Sequence, residues 1–258
     1  PVRRLDGRGP LELRAMSSAA NVLSNADGSA RLAFGKGLDE NDTSLTCAVY
    51  GPGDVRARME QLDQATLQVF FKPLVGGATV MAPQLHAQEA RLRETLAAVL
   101  ALNHFPRAAL RVVAQVTAEH GSVLAVAINA TMLAVLDAGL PMRHVAAAVT
   151  CAFMPPPRDP QTGAVLAAAA DDDDDAAMTA RFVLDPSDDE ERRAQSVHTL
   201  VFDNGSAPAD GDAAAPAARG ALLVHSVGVY TREEFAYAYN VSRAACAQIL
   251  KFMRLSVE

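Results

Sequence analysis

Short apolar runs, several of them alternating with polar residues, divide the chain into segments separated by glycine, proline and charged residues. Alternation with a period of two is typical of a strand with one buried face, and short apolar runs between turn residues are typical of buried strands. Asp27-Gly28-Ser29 is predicted to form a hairpin-type turn, and the Gly51-Pro52 pair is predicted to end a strand. We predict strands at residues 30–34, 45–50, 64–71, 109–117, 145–154, 182–186, 196–202 and 221–230.

Helical spacing of apolar residues predicts a helix over 83–102. The helix is expected to end there, because a proline soon after this segment disfavours its continuation. A second helix is predicted over 231–255, because Thr231 is a good N-cap residue and acidic residues follow it. The secondary structure of residues 122–136 is open between strand and helix. Their first half fits a strand, and their second half leads into the helix C-cap signature Asp137-Ala138-Gly139. Strands and helices thus alternate in two similar blocks, each ending in a helix, which predicts an α+β or α/β layer fold.

Composition supports a large core and shows that the charge is unevenly distributed. Half of the residues are hydrophobic, 5% are aromatic and Trp is absent, so the core must consist of Ala, Val and Leu. The net charge is -7, but residues 158–212 alone carry fourteen acidic and four basic side chains. A nucleic-acid partner is therefore not excluded, because electrostatic attraction acts patch by patch.

Two segments of low complexity, 155–180 and 204–219, are predicted to be solvated loops. The first contains five consecutive acids, Asp171 to Asp175. We predict that this tract is a solvated charge run rather than a cation site, because it lacks the spaced ligands and the glycine turn of a formed site.

Cys47, Cys151 and Cys246 lie in apolar runs, and their spacings match no zinc pattern, which predicts buried free thiols in a reducing compartment. The N-terminal residues contain no apolar segment, so no signal peptide is predicted. The longest apolar run, 123–136, is too short to span a bilayer, and no membrane partner is predicted.

Several motifs, taken in order, carry a resemblance to a known family. Arg4-Leu5-Asp6-Gly7-Arg8 followed by Glu12-Leu13-Arg14 resembles the N-terminal signature of the RNase PH family. Leu184-Asp185-Pro186 followed by Glu190-Glu191 resembles a segment of the ring subunits of the eukaryotic RNA exosome. The other matching motifs are Asp27-Gly28-Ser29, Thr43-Ser44-Leu45, Tyr50-Gly51-Pro52, Asn129-Ala130 and the run from Asp137 to Met142.

The resemblance covers almost the whole chain. It implies an RNase PH-like α+β fold of two β/α pseudo-repeats with mixed sheets and packed helices. It also implies a single domain over residues 1–258, with 155–180 and 204–219 as loop insertions. The implied partners are RNA and other RNase PH-like exosome subunits in a hetero-oligomeric ring. The implied location is the nucleus or nucleolus and the cytoplasm.

Active members of this family use phosphate to attack the last 3′ linkage of RNA. That reaction needs backbone N–H groups and arginines around a dianion, and carboxylates that hold a metal or handle a proton. The family's phosphate loop corresponds to Gly121-Ser122-Val123, so a valine stands at its arginine position. A second arginine position falls on Gln84, and the carboxylate pair falls on Glu191 and Val197. We therefore predict degenerate phosphate and carboxylate sites, no catalytic residue, no metal and no cofactor.

Basic side chains remain as candidate RNA contacts, because phosphate contacts need positive charge but little sequence specificity. The candidates are Arg56, Arg58, Lys72, Arg91 and Arg93, and the alternative is an ordinary solvated surface. Three functions stay open: a non-catalytic ring subunit, a free homodimer with its own nucleic-acid role, and a phosphate- or metal-dependent 3′–5′ exoribonuclease. The exonuclease would use Arg91 or Arg93 with the acids at 185–191 in a rearranged site.

Overall fold

The computed structural model describes residues 4, 6–35, 42–74, 82–156, 179, 181–204 and 220–257. Its first sheet contains strands β1 (Met16–Ala20), β2 (Gly28–Phe34), β3 (Thr43–Asp54), β4 (Thr66–Lys72) and β5 (Ala108–Ala118). The strand order is β1-β2-β3-β5-β4, and only the pairing of β4 with β5 is parallel. The second sheet contains β6 (Ala146–Phe153), β7 (Phe182–Leu184), β8 (Ser196–Asp203) and β9 (Leu223–Gly228). Its order is β7-β6-β8-β9, and all its pairings are antiparallel.

The helices within the described ranges are α1 (Ala82–Val99), α2 (Val123–Asp137), α3 (Asp188–Arg193) and α4 (Arg232–Val257). Short 3-10 turns cover Ala57–Met59 and Leu102–His104. Helix α1 connects the parallel strands β4 and β5, as such a crossover requires. Helix α2 lies between the sheets, against β2 and β3 on one side and β6 on the other, and is buried from Leu124 to Val135.

A buried polar contact joins α2 to the second sheet. The side-chain amide of Asn129 donates to the carbonyl oxygen of Ala148 at 2.9 Å, and its Oδ1 accepts the Ala148 N–H at 2.8 Å. In the described structure, strand β7 pairs with residues 151–153 of β6, so Asn129 satisfies backbone groups of β6 beyond the end of β7. This explains a polar residue in an otherwise apolar helix, because a buried amide must be fully hydrogen-bonded.

The predicted α+β fold class and the eight predicted strands are confirmed. Residues 123–137 form helix throughout, so the strand alternative for the first half of 122–136 is wrong. Burial on almost every side removes the one-sided pattern that would have identified this helix. The first block also continues after α1 with β5 and α2, so it does not end at the helix predicted over 83–102.

Two predicted boundaries are also wrong. Strand β3 continues through Gly51-Pro52 to Asp54, because a register shift between Tyr50 and Gly53 takes the proline out of the ladder with β5. Gly28 and Ser29 belong to β2 and already pair with β3. The turn between β1 and β2 therefore lies before them, over residues 21–27.

Other predictions fall partly or wholly outside the described residues. Most of the loops predicted at 155–180 and 204–219, including the tract Asp171 to Asp175, lies there. The three cysteines are buried and free, as predicted. Among the helices that are described, none combines the length and the apolar character needed to cross a membrane.

Candidate functional site

The segment before α2 is pressed against the segment between β7 and α3. Gly121 has a φ of 87°, and a Cβ atom there would lie 2.6 Å from the carbonyl oxygen of Pro186 and 2.7 Å from the Asp188 nitrogen. Only glycine permits this close approach. Ser122 is in the left-handed region with a φ of 57°, and its hydroxyl donates to the Pro186 carbonyl at 3.2 Å. The motif Gly121-Ser122-Val123 thus forms the N-terminal end of α2.

The carboxylate of Glu191 reaches this helix end from α3. Its Oε1 accepts the backbone N–H of Ser122 at 2.6 Å. Burial raises the pKa of Glu191 to about 6; the Ser122 N–H opposes this rise, and the nearby charge of Asp188 adds to it. Two predicted positions, the phosphate loop and the first carboxylate, therefore do meet. The carboxylate occupies a donor that a bound anion would need.

Arg14 supports the same loop with its whole guanidinium group. Nε and Nη2 donate to the carboxylate of Asp185 at 2.8 and 2.7 Å. Nη1 donates to Thr43 Oγ1 at 3.1 Å and to the His120 carbonyl at 3.2 Å, and Nη2 reaches the Gly121 carbonyl at 3.5 Å. An arginine has five N–H donors, so none of those of Arg14 is left for a ligand.

Asp185 is the buried anion of this arrangement. It is 1% exposed and adopts a φ of 51°. Burial disfavours its charge, but the hydrogen bonds from Arg14 and the charges of Arg14 and Arg8 outweigh burial and lower the pKa of Asp185. The two groups form a buried ion pair, and removing one member would leave the other without compensation.

Arg4 and Arg8 bind the same segment. Arg4 is buried; its Nε and Nη2 donate to the Glu190 carboxylate at 3.1 and 2.9 Å, and its Nη1 and Nη2 donate to the carbonyls of Leu184 and Asp185 at 2.9 and 2.7 Å. Arg8 pairs with Asp6 and contacts Asp185 Oδ2 at 3.4 Å. The N-terminal signature therefore fastens the beginning of the chain to residues 184–190.

A cavity of about 380 Å³, here called the α2 N-terminal cavity, opens beside these contacts. Four carboxylates face two guanidinium groups in its wall, and both guanidinium groups are already paired. An anion entering it would meet an excess of negative charge. In the described part of the chain, no group of three or more His, Cys, Asp or Glu side chains is placed to hold a metal ion. The cavity is lined by Asp6, Arg8, Arg14, His120, Ser187, Asp188, Asp189 and Glu190.

A larger recess of about 770 Å³, here called the β4–α1 groove, lies between the edge strand β4, the 3-10 turn before it and α1. It contains two of the predicted RNA contacts, Arg56 and Arg93, together with Arg111. Arg111 was not among the predicted RNA contacts, although it lies on an exposed position of the alternating strand β5. The groove is lined by Asp54, Val55, Arg56, Met59, Leu67, Gln68, Val69, Phe70, His86, Glu89, Arg93 and Arg111.

The other predicted RNA contacts lie elsewhere. Arg58 is exposed in the 3-10 turn, and Lys72 is exposed at the end of β4, but neither lines the groove. Arg91 lies near His225 of β9: burial lowers the pKa of His225, and the charge of Arg91 lowers it further. Arg91 and Arg93 are two residues apart on one helix and so point in different directions.

Two predicted positions of the degenerate site lie on other elements. Gln84 is exposed in the first turn of α1 and makes no hydrogen bond to the α2 end among the described residues. Val197 lies in β8, opposite Ala152 of β6 and Val227 of β9. Their assignment to the degenerate site stays a prediction, as do the RNA contacts.

Comparison with known proteins gives consistent matches. Residues 12–141 match the model of the 3′ exoribonuclease family, domain 1. The exosome complex exonuclease RRP46 homolog of Oryza sativa subsp. japonica is 30% identical, over 99% of this chain and 95% of the relative. The homolog of the same name from Arabidopsis thaliana is 29% identical, over 98% of this chain and 95% of the relative.

A solved structure agrees with the sequence matches. The crystal structure of rice Rrp46 is 29% identical with a TM-score of 0.76, and the match covers 99% of this chain and 100% of that chain. The strand segment Ala48-Val49-Tyr50-Gly51-Pro52 resembles the ribosomal RNA processing protein 46 type, also called exosome component 5, and these comparisons confirm that likeness. The chain therefore belongs to the RNase PH family of 3′ exoribonucleases, and it is similar to proteins of the Rrp46 type over almost all of the given residues.

Proposed function

We propose that this protein is a non-catalytic structural subunit of an RNA exosome ring. It would support 3′–5′ RNA processing and degradation by assembling with other RNase PH-like subunits and by contacting RNA weakly. The relatives described above are named as exosome complex proteins, and the full-length match supports a place in the same kind of assembly.

The observation that carries the non-catalytic part is the occupied N-terminal end of α2. Val123 supplies no cation there, Glu191 accepts the Ser122 N–H, and every donor of Arg14 is used within the protein. Phosphorolysis brings two phosphate groups together, so it requires uncommitted cations at this point. The geometry offers a carboxylate instead.

The assembly part is supported by the edge strand β9. Within the described residues it pairs only with β8, and Val224 and Val227 are 47% and 57% exposed on its two faces. Val229 and Tyr230 continue this surface and are also exposed. An exposed apolar edge strand is a ready site for pairing with another chain. We assign this edge to contact with a neighbouring subunit.

The RNA part is supported by the β4–α1 groove. Arg56, Arg93 and Arg111 form no ion pair with any described residue, unlike the arginines of the α2 N-terminal cavity. Uncommitted guanidinium groups in a groove can bind phosphates without reading sequence.

The decisive test is phosphate-dependent degradation of a 3′-labelled single-stranded RNA by the purified chain, alone and in a reconstituted ring. We expect no release of nucleoside diphosphates above the level given by Glu191→Ala, in either state. Release that requires phosphate and is lost on Glu191→Ala would refute the non-catalytic assignment.

Assembly is tested by co-purification with other RNase PH-like subunits, followed by measurement of the intact-complex mass. Val227→Lys should reduce the recovered complex at least tenfold, because it places a charge in the apolar edge. Leu255→Lys on α4 is the matched control, since Leu255 is also exposed and lies outside β9. Equal recovery of both variants would remove β9 from the interface. A stable dimer of the isolated chain would instead support the homodimer hypothesis.

A second candidate, a phosphate-dependent 3′–5′ exoribonuclease with a rearranged site, is favoured by one observation. The pKa of Glu191 is raised to about 6, which suits a group that exchanges protons near neutral pH. The names of the full-length relatives, which call them exonucleases, agree with this candidate. The degradation assay above distinguishes the two.

We also propose that the protein acts in the nucleus, the nucleolus and the cytoplasm. Three buried free thiols fit reducing compartments. Imaging of the tagged full chain tests this part: a signal confined to the secretory pathway would contradict it.

A further inference from the structure

Three arginines around the β4–α1 groove reach it from different elements. Arg56 follows β3, Arg93 belongs to α1 and Arg111 belongs to β5. All three are exposed. Guanidinium groups that converge on one recess without acidic partners form an electropositive surface, although the whole chain is acidic.

The carboxylates of the groove do not cancel this surface. Glu89 is committed, because its Oε1 accepts the Phe71 N–H at 3.0 Å and its Oε2 lies 3.1 Å from His86 Nδ1. Asp54 is exposed and forms no ion pair among the described residues. Three uncommitted cations thus share the recess with one uncommitted anion.

An aromatic ring lies in the same recess. Phe70 is 39% exposed on β4, so part of its ring is open to solvent in the recess. Gln68 lies opposite Arg111 in the parallel ladder, and Phe70 follows two residues later, so all three share the outer face of the sheet. The ring and the Arg111 guanidinium group therefore lie on the same face, at diagonal positions of adjacent strands.

We propose that the β4–α1 groove binds single-stranded RNA, with a base stacked on Phe70 and phosphates held by Arg56, Arg93 and Arg111. A positive groove with an exposed aromatic platform is the arrangement that binds single strands regardless of sequence, because every base has a π-face. A duplex keeps its bases stacked on each other and so cannot use Phe70. This inference rests on the RNA contact in the proposed function and adds its location, its residues and its strand preference.

The test is a fluorescence-anisotropy titration of the full chain with a labelled 12-nucleotide single-stranded RNA and with the matching duplex. Phe70→Ala should weaken binding of the single strand roughly tenfold, and Phe70→Leu should do nearly the same, because leucine keeps an apolar side chain but lacks the ring. Leu62→Ala is the matched control, because Leu62 is 73% exposed in the segment between the 3-10 turn and β4 but does not line the groove. It should bind like the unsubstituted chain.

Each outcome decides the inference. Absence of binding by the unsubstituted chain would overturn both this inference and the RNA contact of the proposed function. Binding that Phe70→Ala, Phe70→Leu and Arg111→Ala leave within twofold would overturn this inference alone. Equal affinity for the duplex would also overturn it. Displacement of the RNA by polyglutamate, with no effect of Phe70→Ala, would assign the groove to an acidic peptide instead.

Discussion

The α2 N-terminal cavity and the β4–α1 groove both contain arginines, yet the two regions differ in what those arginines bind. Arg4 and Arg14 are buried. Together with Arg8, they donate their guanidinium N–H groups to carboxylates and carbonyl oxygens of this chain. Arg93 and Arg111 are exposed and have no ionic partner in the described structure. An arginine can serve a ligand only with donors that the fold leaves free. The arginine donors of the first region therefore bind the chain itself, whereas those of the second region are open to solvent and to a ligand.

The largest effect that this comparison predicts concerns stability. Arg14→Ala should lower the free energy of unfolding by about 3–5 kcal/mol, because it leaves the Asp185 carboxylate buried without its partner. Arg93→Ala should change it by less than about 0.5 kcal/mol, because Arg93 is exposed and forms no ion pair with a residue that the structure describes. Urea titrations of the two variants and the unsubstituted chain measure both values. A loss below about 1 kcal/mol for Arg14→Ala would erase the distinction between the regions.

The next effect depends on pH and concerns Glu191. Its pKa is raised to about 6 in the folded protein, so the folded state disfavours the ionised carboxylate. Stability is therefore lost as the pH rises from the unfolded value of 4.5 to about 6, and it stays lower above that range. Glu191→Gln keeps an acceptor for the Ser122 N–H and removes the charge. It should stabilise the protein by about 2 kcal/mol at pH 7.5 and by almost nothing at pH 4.5.

The measurement for Glu191 is the difference between the variant and the unsubstituted chain at the two pH values. Using the difference removes the contribution of His198 and His225, whose pKa values are lowered by burial and whose effect on stability has the opposite sign. An equal difference at both pH values would show that the carboxylate is not held in a buried environment.

Much of the fold follows from local pattern, whereas the pairing of the arginines does not. The eight predicted strands and α1 were predictable, because their apolar residues alternate with polar ones, form short runs between turn residues, or recur at helical spacing. Helix α3 was not predicted, although the capping box from Ser187 to Glu190 is a sequence signal of its N-terminus. The N-terminal half of α2 could not be identified as helix from the sequence, because nearly every position is buried and no polar face marks the helical period.

The candidate site was predictable only in part. Resemblance to a family identified Gly121-Ser122-Val123 and Glu191, and the structure brings these together. The contacts of Arg14 with Asp185 and of Arg4 with Glu190 join residues 171 and 186 positions apart. No periodicity or spacing in the sequence encodes such pairs. Without them, the N-terminal arginines could not be told apart from arginines that are free to bind a ligand.

The next effect concerns anion binding in the α2 N-terminal cavity, which two substitutions should create. Ten millimolar phosphate should leave the stability of the unsubstituted chain unchanged relative to chloride at equal ionic strength, because Glu191 occupies the Ser122 N–H. The double variant Val123→Arg, Glu191→Ala frees the Ser122 N–H, removes one negative charge from the helix end and adds a cation. For a dissociation constant of about 1 mM, the same phosphate would stabilise it by about 1.4 kcal/mol. Equal stabilisation of both proteins would mean that the cavity already binds anions.

The smallest effect, and the one most specific to the groove, is a change in salt dependence. Arg111→Ala should reduce the slope of log K against log salt concentration for single-stranded RNA by about 0.7, the value for one lost phosphate contact. Phe70→Ala should weaken binding without changing that slope, because stacking releases no counterions. Arg254→Ala is the control, since Arg254 is exposed on α4 and lines a different cavity. If Arg254→Ala and Arg111→Ala reduced the slope equally, the RNA would be sensing the overall charge of the protein, and the groove would lose its distinction from the rest of the surface.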